Sequence, residues 1–168
     1  MRIRAYSEAD YDVCRELWVE LTDHHRKIYE STKIGGDDPG AGLDEFLAHP
    51  AFAAAWVAEG PDHRVIGLTG LLERGAEGEI EPVVVHAASR GEGVGRTLIE
   101  RVIQEARERR LTSLKIRPVA RNATAIATFA KLGFRTLGHI ELFQSLDPVQ
   151  GPDAWRPGIT IHGVALDH

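Results

Sequence analysis

The chain has 168 residues, of which 43% are hydrophobic and 27% are charged, and it carries a net charge of −5 at pH 7. These values are ordinary for a soluble globular protein, and they predict one domain over residues 1–168. The negative balance, without a dense basic cluster, argues against a nucleic-acid partner, and the longest apolar run, residues 51–58, is too short to cross a bilayer.

The start of the chain and its single cysteine indicate a cytoplasmic setting. The first residues lack the apolar core of a signal peptide, so we expect a cytoplasmic protein. Cys14 is the only cysteine, which excludes an internal disulfide and a cysteine zinc cluster. The adjacent His24 and His25 have no carboxylate at a useful ligand spacing, so we expect no metal.

The first third of the chain predicts a short strand and two helices. The strand covers residues 3–5. Apolar residues recur at helical spacing from 9 to 28, and Cys14 lies within that apolar stripe, which predicts a core position for it. The glycine- and aspartate-rich stretch 30–44 predicts consecutive turns, and a short helix over 43–48 follows.

Three strands joined by tight turns come next. Residues 53–59 and 64–73 predict a hairpin, and a second turn over 75–78 leads into a strand over 79–85. Pro82 cannot donate a ladder hydrogen bond, so we expect a bulge or an unpaired position there.

Residues 83–97 are the part of the chain around which the rest is organised. A buried strand of three valines runs into a glycine-rich loop and then into an amphipathic helix. The loop contains Gly91, Gly93 and Gly95, flanked by Arg90 and Arg96. Glycines let a ligand approach main-chain N–H groups, and a helix start adds unpaired donors and a partial positive charge. The loop predicts a phosphate site; the alternative is an ordinary strand-to-helix connection.

The common nucleotide motifs do not fit this loop. A P-loop would need glycine in place of Arg90 and lysine in place of Arg96. A dinucleotide fingerprint would need glycine in place of Arg96. Both nucleotide motifs are therefore disfavoured as an interpretation of the loop.

The last third of the chain predicts a strand, a helix and two closing strands. The strand covers residues 113–117. Asn122 is a good N-cap for a helix over 123–132, with Gly133 at the C′ position.

The closing strands are predicted over 136–146 and 158–166, separated by a loop over 147–157 that carries Trp155. The predicted order is β-α-α-β-β-β-α-β-α-β-β, a mixed α/β layer structure. The closing strands could also serve a homodimer, although the sequence carries no direct signal for one.

Two motifs in this chain resemble those of the GNAT acetyltransferase family. Residues 90–95 resemble the Q/R-x-x-G-x-G/A signature, and residues 122–134 resemble the N-x-x-A-x-x-x-[YF]-x-K-x-G-F helix. The resemblance covers residues 3–146 and is best over 79–134. It implies the GNAT fold, an α/β (α+β) mixed sheet whose fourth and fifth strands splay apart around the pantetheine arm of acetyl-coenzyme A.

The resemblance also implies which residues bind this co-substrate, with no metal. The valine backbone would bind the pantetheine arm and the glycine loop would hold the pyrophosphate. The implied residues are Val83, Val84, Val85, Arg90, Gly91, Glu92, Gly93, Val94, Gly95, Arg96, Asn122 and Phe129. For the valine side chains the alternative is core packing, and for Asn122 it is simple helix capping.

Acetyl transfer to an amine needs a base, because a lysine-like amine has a pKa of about 10.4 and must lose a proton before it attacks. Glu79 and Glu81 lie two residues apart and so on one face of the strand that enters the site. Glu79 stands where several members of the family carry their catalytic glutamate. The alternative is a pair of exposed strand carboxylates.

The general acid does not stand at the position that the resemblance implies. Many members of the family use a tyrosine at the position of Phe129, which has no hydroxyl. Tyr11, at the start of the first helix, is the best-placed substitute. Otherwise a backbone N–H near Val85 would stabilise the oxyanion, and the thiolate would leave unassisted.

We therefore expect an N-acetyltransferase that uses direct attack, since Cys14 is expected in the core. The alternatives are a catalytically idle acyl-CoA-binding protein and a module that only binds phosphate. The acceptor is a small-molecule or peptide amine. Acidic residues near the predicted acceptor side would favour a cationic amine, or they are solvated turn carboxylates; they are Glu20, Asp23, Asp37 and Asp38.

Overall fold

The computed structural model describes residues 1–144, 146 and 156–168, which form two compact units, Met1–Arg117 and Pro118–His168. The elements of the first unit are β1 (Arg2–Ala5), α1 (Tyr11–Tyr29), α2 (Gly42–Leu47), β2 (Phe52–Glu59), β3 (Val65–Arg74), β4 (Glu77–Val85), α3 (Val94–Glu108) and β5 (Ser113–Ile116). Within the described residues, no helix has the length and apolar character that a bilayer crossing requires.

The first unit is built on one five-stranded sheet in the order β1-β2-β3-β4-β5. The first four strands pair antiparallel, whereas β4 and β5 pair parallel. The parallel step is possible because α3 carries the chain back over the sheet between the two strands. The predicted elements of this unit are confirmed, with ends that shift by one or two residues.

Helices cover both faces of the sheet. Leu68 of β3 belongs to the core cluster of Cys14 and Phe46, so α1 and α2 pack on its face. The neighbouring Gly67 faces α3, because a Cβ there would lie 3.0 Å from Leu98 Cδ1. Successive residues of a strand point to opposite faces, so α3 packs on the other side. The predicted core position of Cys14 is confirmed, since it is fully buried.

The predicted irregularity at Pro82 is also confirmed. The register between β3 and β4 shifts between Thr69 and Leu71, opposite this part of β4. The Thr69 hydroxyl donates to the Pro82 carbonyl at 2.8 Å, and the Glu81–Pro82 peptide bond is cis. A side-chain hydroxyl thus bonds to the backbone where the ladder is interrupted.

Gly70 allows α2 to pack closely against this bulge. A Cβ at this position would lie 2.2 Å from Phe46 Cζ and 2.7 Å from the Glu81 carbonyl oxygen. We expect Gly70→Ala to lower the free energy of unfolding by about 1–3 kcal/mol, as overpacking does, because the backbone oxygen cannot move aside cheaply. Urea denaturation measures this loss. Gly138→Ala is the control, since no described atom lies within 4 Å of that Cβ position; equal losses in both variants would contradict the packing argument.

The second unit contains α4 (Ala123–Lys131) and a hairpin of β6 (Pro157–Ile161) and β7 (Val164–Asp167). The predicted cap of α4 is confirmed: the Asn122 side chain accepts from the Ala125 N–H at 3.0 Å, and Gly133 follows with a φ of +100°. Asn122 thus satisfies one of the helix's free first-turn donors.

The two closing strands are not those that the sequence predicts. The strand predicted over 136–146 is wrong, because residues 136–144 and 146 form no strand. The composition of a segment can suit a strand, but a strand also needs a backbone partner, and the described residues provide none for it. Leu142 and Phe143 are accordingly exposed.

The single strand predicted over 158–166 is also wrong, because the chain turns in its middle. His162 and Gly163 have φ values of 50° and 82°, as a two-residue hairpin turn between β6 and β7 requires. The predicted loop over 147–157 lies almost wholly outside the described residues, and Trp155 with it.

Candidate active site

Along its second half, β4 pairs with no described strand on one edge. Its pairing with β5 ends at Ile80, while β4 continues to Val85. The His86 N–H donates to Ile66 of β3 at 2.9 Å, so by the alternation of an antiparallel ladder the polar groups of Val83 and Val85 point to the opposite edge. Val84 is buried in the core and its neighbours are half-buried. This edge of β4 thus lies outside the hydrogen-bonding ladder of the sheet, and the Val85 carbonyl on it accepts from Arg90 Nε at 3.0 Å. A ligand can bind along it.

The glycine loop continues from that edge into the start of α3. Gly91 and Gly93 have φ values of 83° and 84°, a conformation that other residues rarely adopt. No described atom lies within 4 Å of either Cβ position, so the space beside the loop is open. Gly93 is the N-cap of α3 and no described side chain caps this helix, so its first-turn N–H groups face that space.

This arrangement fits acetyl-coenzyme A. A free strand edge can bind the amide groups of a pantetheine arm, and an uncapped helix N-terminus beside arginine side chains can bind a diphosphate. Glu92, Arg90 and Arg96 are exposed, and Val94 is buried beneath the loop. The Cβ position of Gly95 lies 3.5 Å from Val85 Cγ2, so this glycine brings the helix close to β4.

A contact that the sequence did not predict connects α1 to the start of the glycine loop and the residues just before it. Glu20 of α1 accepts from the Ala87 N–H at 2.9 Å, and its other oxygen lies 3.3 Å from His86 Nε2. Its carboxylate is also 3.8 Å from Arg90 Nη2. Such a long-range contact leaves no local signal in the sequence.

The two candidate carboxylates of β4 are brought together by one arginine. Arg117, just beyond β5, donates from Nε to Glu79 Oε1, and its Nη2 lies 3.8 Å from Glu81 Oε2. Lys115 of β5 lies 3.4 Å from Glu79 Oε2. Glu79 is buried, with 5% of its side chain exposed, whereas 44% of the Glu81 side chain is exposed. Glu79 is therefore not the exposed strand carboxylate of the alternative interpretation.

Glu79 lies on the face of the sheet that α1 and α2 cover. Gly70 faces Phe46, so Leu72, two residues further along β3, lies on the same face of the sheet. Glu79 pairs directly with Leu72 across the strands and shares that face. This base candidate is therefore on the same side of the sheet as α1 and α2, and the position of Glu81 is given by its approach to Arg117.

The comparison with known families agrees with this geometry. A model of the acetyltransferase (GNAT) family matches residues 13–134, which is most of the chain. The chain belongs to the GNAT family. The match includes the strand, glycine loop and helix that form the candidate site, and the mixed sheet of the first unit is the one that GNAT proteins share.

A curated relative matches part of the chain. An IAA acetyltransferase of Azospirillum brasilense is 35% identical over 72 residues, which are 43% of this chain and 47% of that protein. The chain thus spans about half the length of this curated relative.

Solved structures of other acetyltransferases have a similar fold. A Trypanosoma brucei acetyltransferase is 23% identical with a TM-score of 0.61, over 86% of this chain and 99% of that one. The ribosomal-protein-alanine N-acetyltransferase of Brucella melitensis is 26% identical with a TM-score of 0.61, over 79% of this chain and 83% of that one.

In this GNAT protein, Tyr11 lies in the first turn of α1, where its hydroxyl donates to Asp44 of α2 at 2.8 Å. That hydrogen bond raises the pKa of Tyr11 above its usual value. Tyr11 lines an open, mostly apolar cavity of about 740 Å³ to which the described part of β4 contributes no residue. Tyr11 as the acid thus stays a prediction. The cavity is lined by Ala5, Tyr6, Glu8, Tyr11, Leu47, Phe52, Ala54 and Ala55.

The remaining predicted site residues belong to the second unit. Asn122 caps α4, and Phe129 is half-buried in the same helix. Their part in binding the co-substrate stays a prediction.

Most of the acidic residues near the predicted acceptor side of this GNAT protein have cationic or N–H partners. Asp38 pairs with Arg15 at 2.5 Å, and Asp23 lies 3.2 Å from Arg26. These pairs favour solvated, neutralised carboxylates over an acidic lining for a cationic amine, although Glu20 and Asp23 lie in α1 and not in turns as predicted.

Proposed function

We propose that this GNAT protein transfers an acetyl group from acetyl-coenzyme A to a primary amine of a small molecule or peptide. The observation that carries the proposal is that β4 has two features. The edge of β4 that pairs with no described strand leads into the uncapped start of α3, and the Glu79 and Glu81 carboxylates lie further back on the same strand. A binding edge and a candidate base are thus built on one rigid element.

The carboxylates would supply the base that the reaction needs. Keeping an amine with a pKa of about 10.4 neutral at pH 7 costs roughly 4–5 kcal/mol. Glu79 or Glu81 accepts the amine proton, directly or through water, as the C–N bond forms at the thioester carbon. The C–S bond breaks and its electron pair leaves with the thiolate. A backbone N–H near Val85 stabilises the oxyanion.

Direct attack is favoured over a covalent acetyl-enzyme. Burial raises the pKa of the Cys14 thiol to about 12, so its thiolate is scarce at neutral pH.

We expect Cys14→Ala to keep kcat within about twofold of wild type and to lose some stability from the small cavity. Steady-state kinetics and intact-protein mass spectrometry check this expectation. A covalent acetyl group on Cys14, about 42 Da of added mass, or loss of turnover in the variant would contradict it.

The alternative function is an acyl-CoA-binding protein without catalysis. Phe129 supports it, because this residue cannot supply the proton that a tyrosine gives in other members of the family. Coenzyme A binding without turnover on any amine would favour this alternative.

An amine screen tests the proposal. Thiol release from acetyl-coenzyme A is measured with a panel of diamines, amino sugars, amino acids and peptides, including one with an N-terminal alanine. Turnover on at least one amine, with an N-acetylated product by mass spectrometry, supports the proposal. Failure to bind coenzyme A by calorimetry overturns it.

A further inference from the structure

Four charged side chains meet where the pairing of β4 and β5 ends, just before Arg117; they are Glu79, Glu81, Lys115 and Arg117. The buried Glu79 carboxylate lies 3.4 Å from Lys115 Nζ, so these two charges balance each other. Arg117 and Glu81 then remain as one cation and one anion. Both reach solvent, since 66% of the Arg117 side chain and 44% of the Glu81 side chain are exposed.

The guanidinium of Arg117 has donors to offer a ligand. A guanidinium carries five N–H donors in a planar fork. Within the described residues, Arg117 donates a hydrogen bond only from Nε, to Glu79. Its Nη2 lies 3.8 Å from Glu81 Oε2, which is longer than a hydrogen bond. The contact with the buried Glu79 thus holds the fork in place and leaves its terminal N–H groups open.

A free α-amino acid carries the charges that match this pair. Its ammonium and carboxylate groups are attached to the same carbon, so they can reach two neighbouring partners of opposite sign. The carboxylate would accept two parallel hydrogen bonds from the Arg117 fork. The ammonium would donate to Glu81, which is one of the two base candidates. This pose therefore brings the amine to a group that can accept its proton.

Other amines fit the same pair less well. A diamine would bring a second ammonium toward Arg117, and like charges repel each other. A peptide N-terminus offers the fork a neutral carbonyl, and a hydrogen bond to a carboxylate is about twice as strong. The acidic residues that could attract a polycation, such as Asp23 and Asp38, are paired with arginines.

We infer that the acceptor is a free α-amino acid and that Arg117 is the specificity-determining residue that binds its carboxylate. The acetyl group is transferred to the α-amine. This inference rests on the proposed N-acetyltransferase activity, and it names the class of acceptor for that activity.

A free amino acid and its carboxamide test the inference, because the carboxamide lacks only the negative charge. Thiol release gives kcat/KM for the most active amino acid of the screen and for its carboxamide, with wild type and Arg117→Gln. We expect Arg117→Gln to lower the ratio of the two kcat/KM values by about tenfold or more, because a hydrogen bond to a charged group is lost. A disturbed Glu79 or a less stable fold would lower both values alike and would leave the ratio unchanged.

Two matched variants separate the fork from the charge. Lys115→Gln removes the other cation beside Glu79 and should change the ratio much less than Arg117→Gln does. Arg117→Lys keeps the charge without the planar fork, so its ratio should lie between those of wild type and Arg117→Gln. An equal fall in the ratio for Lys115→Gln and Arg117→Gln would assign the effect to general charge and overturn the role of Arg117.

The remaining outcomes distinguish this inference from the proposed function. If wild type acetylates other amines but no free amino acid, the inference is overturned and the proposed function stands. An unchanged ratio in Arg117→Gln has the same meaning. If wild type acetylates no amine, both are overturned.

Discussion

Gly93→Trp is expected to weaken coenzyme A binding by about 100-fold or more, roughly 2.7 kcal/mol, in calorimetry. Gly93 is the N-cap of α3, and the space beside its Cβ position is open. An indole there would cover the first-turn N–H groups to which a diphosphate binds. Unchanged affinity would remove the phosphate site from the proposed function.

The control for this variant is Gly75→Trp in the turn between β3 and β4. Gly75 also has a positive φ, 63°, and open space at its Cβ position. Each tryptophan should therefore cost a similar backbone strain of about 1–2 kcal/mol. Gly75 lies at the end of β4 opposite the glycine loop, so Gly75→Trp should bind coenzyme A like wild type. Equal losses of affinity would indicate a stability effect.

Glu79→Gln and Glu81→Gln are expected to lower kcat, and the larger loss identifies the base. Removing a general base costs about 10²–10⁴-fold in kcat, whereas the affinity for coenzyme A should be unchanged. Steady-state kinetics on the best amine of the screen measures kcat, and calorimetry measures the affinity for coenzyme A. Glu77→Gln is the control, because Glu77 is exposed on β4 and lies outside the site. Full kcat in both variants would exclude a carboxylate base on β4.

A double variant separates chemistry from stability at Glu79. Glu79→Gln leaves Arg117 and Lys115 without their shared carboxylate, so thermal stability should fall as well as kcat. Adding Arg117→Gln removes the cation that lost its shorter ion pair, leaving Lys115 and Glu81, and should recover part of the melting temperature. If Glu79 is the base, kcat stays low in the double variant; recovery of kcat would show a structural role.

The features that the sequence predicts correctly here are local ones. The bulge follows from the missing N–H of Pro82, and the cap of α4 from the side-chain oxygen of Asn122. The turn from β4 into α3 follows from the glycines of the loop, two of which, at 91 and 93, have a positive φ. Each depends on the chemistry of one residue and its close neighbours, which is present in the sequence as written.

The features that it does not predict depend on distant partners. Residues 136–146 are predicted as a strand, yet the described residues offer this segment no backbone to pair with. The surroundings of Glu79 likewise come from Arg117, 38 residues further along, and from the parallel register that sets Lys115 opposite it.

The sequence alone thus determined the glycine loop, the helix caps and the apolar stripes, because steric limits and side-chain periodicity act over a few residues. Only the tertiary structure decided which carboxylate is buried, which cations meet it and where Arg90 rests. Those contacts depend on strand register and helix docking, which are set by the packing of the whole unit.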